Sequence, residues 1–503
     1  MESLFFDTRE LDKQAREKFN LSEELMMENA ACGLEKYVNS LLRENYEYVI
    51  NKPAVLILCG KGNNGADGYA LARRFCCERL NIFVLDFEEP KTQLGILQKE
   101  RAVTAGVQFI KPADLSYFLD QNSIDVKIVV DCIFGIGFHG QLSAEIEDVI
   151  NQINQLNENV KKVSCDVPTG LDINGNASGT VFKADLTVTM GAKKICLYSD
   201  KAKDFTGTVC EVHLGIHPSK YKDFDTDGKY YLLSEKDMEL PERKIENANK
   251  GSFGHTAIFC GEKIGAGVIA GKAALKFGSG LVTLISDKKH EFENRMVPFE
   301  LMTSEKVPEK CNSIAIGMGF GRTEKIGFLN DYLNDKNMSF VLDADVFYNR
   351  EIVEFLEKFE GMGKIQYREN LVLTPHPKEF ASLLNMCGFG DFDTNYVIEN
   401  RLELVRKFCE KYKGVVLLLK GANSVIGRQN DSEFTCLINP IGSVALSKAG
   451  SGDVLSGMIA SLMAQKQNAF EAAKNGSLAH AAASQKFVEK YALTPFELIE
   501  KLD

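Results

Sequence analysis

Between Gly60 and Arg74 the chain reads GKGNNGADGYALARR, with two asparagines and an aspartate in a glycine-rich turn. The turn follows the apolar run PAVLILC and precedes a helical pattern. Such strand–turn–helix junctions often bind phosphates, because a helix start offers unpaired N–H groups. This one lacks the Lys-Ser/Thr pair of a P-loop and the spacing of a dinucleotide fingerprint. It offers instead amide and carboxylate oxygens beside backbone that a ligand can approach closely. Three more polar strand ends lie in the same half. KIVV is followed by Asp131 and FGIGFHG, KKVSC by Asp166, Val167, Pro168, Thr169 and Gly170, and LTVT by MGAKK. Asn64, Asp131 and Thr169 are candidate hard oxygen ligands for a cation, which leaves N–H groups for phosphates. Asn and Asp also make turns and cap helices, and any one of these ends alone would say no more than that. Four in one half say more.

The second half has its own set. KAGSGDVLSGMIASLMAQ, from Lys448, opens a helix with Gly450, Gly452 and Asp453. The N–H groups and dipole of that helix start suit an anion. An Asp held there either caps the helix or acts as a base toward a hydroxyl nucleophile. LKGANSVI at Lys420 ends a strand in another anion-friendly turn. TPHPKEF places His376 at a third strand end, and VLDADVFY places Asp343 and Asp345 at a fourth.

The elements that must position these residues are legible from period and length. LDKQAREKFN and ELMMENAACGLEKYVNSLL repeat apolar positions at helical spacing, so residues 1 to about 45 are expected to be helical. PAVLILC, NIFVLD, KIVVDC, KKVSCD, LTVTMG and TVCEVHLG read as strands. YALARRFCCERL and SAEIEDVINQINQL read as helices between them. Short apolar runs of this kind suit strands buried on both faces. Their alternation with helices implies a parallel sheet. From HTAIFC onward the alternation repeats, and SVIGRQ and FTCLIN are expected to pair as a hairpin near Asn430-Asp431. Between the halves, IHPSKYKDFDTDGKYY is polar and aperiodic. It is expected to be a linker over 217–230, separating a domain of residues 1–216 from one of residues 231–503.

A chain of 503 residues is too long for one ordinary core. A net charge of −11 argues against binding to nucleic acid or an anionic membrane. The 13 cysteines show no metal-type spacing. Reduced thiols, no membrane span and a cytoplasmic location are expected.

The pieces LDKQA, LMMENA, GKGNNGADGYALAR, DCIFGIGFHG, DVPTGLD and TMGAKKICL resemble, in order, the NAD(P)H-hydrate epimerases of the YjeF N-terminal type. The resemblance implies a Rossmann-like three-layer domain. It implies substrate contacts at Asn63, Asn64, Gly65, Ala66 and Asp67, at Gly135, Ile136, Gly137, Phe138, His139, Gly140 and Gln141, and at Asp166. It implies potassium on Asn64, Asp131 and Thr169, and catalytic roles for Asp166 and Lys194. Ala66 stands where the family has Gly, and Thr169 where it has Ser.

The second half resembles ribokinase-like small-molecule kinases at its glycine–Asp helix start. NKGSFGHTAIFCG, GAGVIAGKAALKFGSGLV, AIGMGFGR, LDAD, TPHPKEF, LLKGANSVI and GSGDVLSGMIA together resemble the ADP/ATP-dependent NAD(P)H-hydrate dehydratases of that superfamily. This implies a ribokinase-like α/β domain that uses ADP or ATP with magnesium. Lys420, Gly421, Ala422, Asn423, Ser424 and Gly452 would contact the adenine nucleotide. Ala266, Gly319, His376 and Asp453 would contact the hydrated coenzyme, with Asp453 catalytic. The joint expectation is a bifunctional repair enzyme and a homo-oligomer. Its epimerase would interconvert the R and S hydrates of NADH and NADPH, and its dehydratase would restore the coenzyme from the S form. Two alternatives differ in what they leave behind. A kinase of a small alcohol would leave a stable phosphorylated product. A non-catalytic first domain would bind nucleotide or a partner only.

Overall fold

The computed structural model describes residues 1–45, 52–76, 80–121, 123–177, 179–217, 220, 228–244, 246–287, 297–363, 369–430, 433–487, 489 and 491–502. Of the expected linker, residues 218–219 and 221–227 lie outside these, as do Cys77 and Asp431. The chain divides into two compact units, residues 3–226 and residues 1–2 with 227–503.

The first unit holds a parallel sheet. Its strands are β1 (Pro53–Cys59), β2 (Asn81–Asp86), β3 (Gln108–Ile110), β4 (Asp125–Cys132), β5 (Lys161–Cys165), β6 (Leu186–Met190) and β7 (Thr208–Val212). They run in the order β3-β2-β1-β4-β5-β6-β7. The order reverses between β1 and β4, and such a switch point opens a crevice at the strands' carboxyl ends. Helices α1 (Arg9–Phe19), α2 (Glu23–Asn45) and α3 (Asn63–Phe75) precede or follow β1, and α4 (Gln93–Thr104) follows β2. Ala30, Leu34 and Val38 of α2 pack with Leu71 and Phe75 of α3 over Ile57, Val84 and Val130. On the other face, Ile146, Val149, Ile150 and Ile153 of α5 (Ala144–Asn154) cover Leu56, Leu58 and Val129. Both faces of every central strand are therefore apolar, which is why these runs show no alternation.

The glycine-rich stretch is not all turn. Helix α3 already begins at Asn63, with Gly62 as its cap. A side chain at Gly65 would put its Cβ 1.8 Å from the Gly60 carbonyl oxygen, so only glycine lets the first helical turn sit on the strand end.

The second unit holds a mixed sheet. Its strands are β8 (Lys229–Leu232), β9 (His255–Phe259), β10 (Leu281–Ile285), β11 (Met302–Ser304), β12 (Ser313–Ile316), β13 (Ser339–Leu342), β14 (Leu371–Leu373), β15 (Val415–Leu419), β16 (Ser424–Gln429) and β17 (Phe434–Asn439). Their order is β8-β17-β16-β15-β14-β13-β12-β9-β10-β11. The expected hairpin is present, β16 against β17, antiparallel from Ser424↔Asn439 to Gln429↔Phe434. Strand β8 pairs Lys229 with Thr435, so from residue 227 onward sheet pairing starts two residues before position 231. Helices α6 (Ile264–Lys276), α7 (Pro377–Met386), α8 (Arg401–Lys411), α9 (Ser451–Ala464) and α10 (Ala469–Gln485) complete it. At Gly457 of α9 a Cβ would lie 2.1 Å from the Ala270 carbonyl of α6, so those two helices touch backbone to backbone. The described cysteines are free thiols, most of them buried. No helix among the described residues is long and apolar enough to cross a membrane.

Candidate active sites

In the first unit the polar strand ends converge on one cleft of about 470 Å³. Asn63, Asn64 and Asp67 line it from α3, Gly135 to Phe138 from the loop after β4, and Asp166 from the end of β5. Gly65 and Ala66 are buried within the first turn of α3. Ala66 is fully buried, and a Cβ at Gly95 of α4 would lie 3.8 Å from its methyl. The methyl therefore points into packing and is accommodated by a glycine opposite. His139, Gly140 and Gln141 follow the cleft-lining loop but do not line the cleft.

Asp166 is the most constrained residue of the site. Its φ of +71° lies in the left-handed region, unusual for a residue with a side chain. Its N–H donates to the Val188 carbonyl at 2.8 Å, which holds that conformation. Oδ2 accepts from Ile136 N–H at 3.0 Å, and Oδ1 lies 2.7 Å from Lys194 Nζ. Lys194 is 1% exposed and also donates to Thr189 Oγ1 at 2.9 Å and the Met190 carbonyl at 2.8 Å. A buried ammonium held among four oxygens, the fourth the Ala192 carbonyl at 3.3 Å, keeps a carboxylate fixed at the cleft wall.

Asp131 lies beneath the cleft, fully buried. Its oxygens accept from Thr169 N–H at 2.8 Å, Thr169 Oγ1 at 2.7 Å and Ile133 N–H at 3.1 Å. Burial pushes its pKa up to about 6, against these hydrogen bonds. Asn64 Nδ2 is buried and has no hydrogen-bond partner. A half-turn of that amide exchanges its nitrogen for an oxygen. Asp131 and Thr169 are thus bonded to each other, and Asn64 brings an unpartnered amide to the cleft wall.

Among the cleft-lining residues not legible as site residues are Thr8, Arg9, Asp12 and Arg16. They fall on one face of a segment that reads simply as an amphipathic helix. Burial pushes Asp12 up to about 6, with Lys194 opposing and Asp166 adding. Asp67 is raised well above the ordinary carboxylate range by burial, then by Asp166 and Asp12.

In the second unit, residues that the sequence placed at separate strand ends form one network. Lys420 Nζ donates to Asp343 Oδ1 at 2.8 Å and lies 3.8 Å from Glu379 Oε2. Ser456 Oγ of α9 donates to Asp343 Oδ2 at 2.6 Å. His376 caps α7: its Nδ1 accepts from Lys378 and Glu379 N–H groups at 3.1 and 3.2 Å. Its Nε2 lies 3.0 Å from Glu379 Oε1. Gly452, in the first turn of α9, stands beside this centre, where a Cβ would be 3.3 Å from Lys420 Nζ. Asp453 follows it, half-buried, and is pushed up to about 7 by burial and then by Asp343, with Lys420 opposing. Burial works against the charge of Lys420, but Asp343 and Glu379 outweigh it and raise its pKa. Gly321 N–H donates to Asp345 Oδ2 at 3.1 Å. Gly319 and Ala266 are adjacent, a Cβ on the former meeting that of the latter at 3.1 Å.

The turn of Gly421, Ala422, Asn423 and Ser424 runs from Lys420 into β16, with Asn423 buried. His480 of α10, given no role by sequence, donates from Nε2 to the Ser451 carbonyl at 3.0 Å. Burial holds it down to about 4, so it anchors the helix start as a neutral ring. Among the described residues no three His, Cys, Asp or Glu side chains are grouped to hold a metal ion.

Residues 23–196 match the family described as YjeF-related protein N-terminus, and residues 256–503 match that described as NAD(P)H-hydrate dehydratase. The bifunctional NAD(P)H-hydrate repair enzyme Nnr of Helicobacter pylori is 41% identical over 505 residues, covering 100% of this chain and 99% of that protein. The enzyme of the same name from Coxiella burnetii is 30% identical over 457 residues, covering 87% and 86%. The solved ADP/ATP-dependent NAD(P)H-hydrate dehydratase from Bacillus subtilis, co-crystallised with ATP/Mg2+, aligns with a TM-score of 0.43 at 23% identity, over 55% of this chain and 97% of that one. With both halves matched and a relative aligned end to end, the chain belongs to the family of bifunctional NAD(P)H-hydrate repair enzymes.

Proposed function

We propose that the first unit epimerises the R and S hydrates of NADH and NADPH, and that the second dehydrates the S hydrate at the expense of ADP or ATP. The observation that carries this is the presence of two separate acid–base centres in one chain. One is Asp166 with Lys194, and the other is Asp453 beside Asp343 and Lys420. The relatives matched over most of their length are named bifunctional NAD(P)H-hydrate repair enzymes.

In the first cleft, Asn63, Asn64 and Asp67 with Gly135 to Phe138 would embrace the nucleotide, and Asp166, held by Lys194, would face the ring. Asn64, Asp131 and Thr169 would hold potassium, which when bound supplies a fixed positive charge for an anionic substrate. In the second unit, Lys420 to Ser424 and Gly452 would hold the adenine nucleotide. Ala266, Gly319, His376 and Asp453 would hold the hydrate. Hydroxide is a poor leaving group, so the hydroxyl at C6 is first phosphorylated. Asp453 takes the hydroxyl proton as the oxygen attacks the terminal phosphoryl group. Phosphate then departs with the C6–O electrons, a ring proton is lost from C5, and the double bond reforms. Magnesium fits as a partner of the nucleotide's own phosphates, which is its usual mode. The enzyme is read as cytoplasmic and homo-oligomeric.

The test is to supply mixed hydrate epimers with and without each adenine nucleotide, following the near-ultraviolet absorbance of the reduced ring. Complete conversion of both epimers, dependent on ADP or ATP, is expected. A stable phosphorylated product without restored absorbance would favour a small-alcohol kinase. Conversion of the S form alone would make the first unit a binding module.

A further inference from the structure

We propose that Asp12, on the helix Arg9–Phe19, is a further catalytic residue of the epimerase, exchanging protons with the C6 hydroxyl in partnership with Asp67. The proposal rests on the epimerase reading above.

The chain delivers Asp12 to the site by a defined route. Phe5 pairs with the lysine loop, its N–H donating to the Lys193 carbonyl at 3.0 Å and its carbonyl accepting from Ile195 N–H at 2.9 Å. The segment is thereby tied on both sides of Lys194. Thr8 begins the next turn, and Asp12 N–H closes it on the Thr8 carbonyl at 3.0 Å. Asp12 Oδ1 lies 4.0 Å from where a Cβ at Gly191 would stand, so the carboxyl reaches the loop after β6 that also bears Lys194. Thr8, Asp12 and Arg16 repeat every four residues and all line the cleft, so they form one helix face.

The cleft gathers more carboxyls than cations. Four carboxyls line it, Asp12, Glu23, Asp67 and Asp166. The buried ammonium of Lys194 is spent on Asp166. Arg9 is paired with Asp7 and Arg16 with Glu23. Asp12 therefore feels the charges of Lys194 and Asp166 at the strand ends, of Asp67 on α3, and of Asp7 and Arg16 in its own segment. Like charges confined together do not all ionise. Burial and mutual repulsion raise both Asp67 and Asp12, so the two share a proton at rest, and the proposed cycle starts with it on Asp67.

That pair matches what epimerisation at C6 requires. The ring nitrogen N1 adjoins C6, and its lone pair can form an N1=C6 bond as the C6–O bond breaks. The oxygen leaves with the bonding electrons and takes the Asp67 proton, forming water. Water then adds to C6 from the other side, the N1=C6 pair returns to nitrogen, and Asp12 takes the released proton. No electrons are gained or lost overall. One proton has moved from Asp67 to Asp12, and exchange with solvent or the reverse reaction resets it.

The experiment uses the full-length chain with purified R hydrate, no adenine nucleotide, and chromatographic separation of R from S. Wild type should lose kcat as pH falls through about 6, where Asp12 takes a proton and can no longer accept one. Asp12→Asn should lower kcat by about 10²-fold at nearly unchanged KM, and its acid limb should vanish. Asp12→Glu should recover part of the rate and a displaced acid limb. Wild-type rate and pH profile in Asp12→Asn, or a higher KM with kcat intact, would overturn the proposal. If Asp12→Asn melts early, Asp12→Glu decides: a shifted limb supports the role, and a profile superimposable on wild type overturns it. A wild type that interconverts no hydrate sinks the epimerase reading itself, and this proposal with it.

Discussion

Gly135 and Asp166 are held so close that a methyl on the first would stand 2.6 Å from Oδ2 of the second. That oxygen also accepts the Ile136 N–H, so the glycine loop and the carboxylate define each other's position. Only a residue without a side chain lets this loop close on the site. The same contact explains why FGIG follows β4: the backbone must pass over a carboxylate whose other oxygen is fixed by Lys194.

Gly135→Ala should therefore displace Asp166 without disturbing the sheet. Epimerase kcat is expected to fall by about 10²-fold, since misplacing a group that positions the ring by an ångström costs about that much. Dehydration of purified S hydrate by the same variant should be unchanged. Equal epimerase rates in variant and wild type would show that Asp166 does not need this position.

Potassium is expected to stabilise the first unit. A ligand that binds only the native state adds RT ln(1 + [L]/Kd) to stability, so the melting temperature should rise with potassium and not with sodium at equal ionic strength. Asp131→Asn keeps the shape but removes the charge, and should abolish the difference. A potassium response that survives this substitution would place the ion elsewhere.

Asp453 should give the dehydratase its acid limb. A base works only when ionised, so kcat should rise with pH through about 7 and then level off. Asp453→Asn should cost about 10²- to 10⁴-fold and leave epimerisation intact. The stability effect has the opposite sense. The folded pKa is raised, so the native state holds this proton more tightly than the unfolded chain does. Stability is lost as pH rises from about 4 to about 7. The Asn variant should thus melt above wild type in alkaline buffer, with the gap closing in acid. A variant that melts lower at every pH would contradict this account of the site's strain.

The fold class was legible because buried parallel strands leave short apolar runs, and PAVLILC or VVLLL can hardly be anything else. Strand order was not, since periodicity shows which faces are buried but not which strand lies beside which. For the same reason Asp131 and Asp166 could be singled out at strand ends. The link from Lys420 through Asp343 to Ser456 could not, because it joins residues 77 and 113 positions from Asp343. Asp12 and His480 escaped notice for another reason. One polar residue within a helical pattern looks like a solvated position or a satisfied core residue, and only packing shows what it faces. The glycine-rich stretch misled in one respect: its asparagines read as turn residues, yet the helix already contains them.

The network in the second unit leads to the last prediction. Asp343 is 1% exposed, and its two oxygens are committed to Lys420 and Ser456. It is also the like charge that, after burial, does most to raise Asp453. Asp343→Asn keeps the shape and one acceptor but removes the charge. Lys420 is then left with Glu379 at 3.8 Å as its anionic partner, and its ammonium becomes more available to Asp453. Both changes favour the ionised form of Asp453, so the acid limb of dehydration should move to lower pH, by about one unit or more. Stability should fall by about 3 kcal/mol, because one partner of a buried ion pair has been removed. The adenine nucleotide should bind less well, since Lys420 no longer has a fixed position from which to meet a phosphate. A limb that stays in place while the melting temperature falls would mean that Asp343 is structural only, and that the raised pKa of Asp453 comes from burial alone.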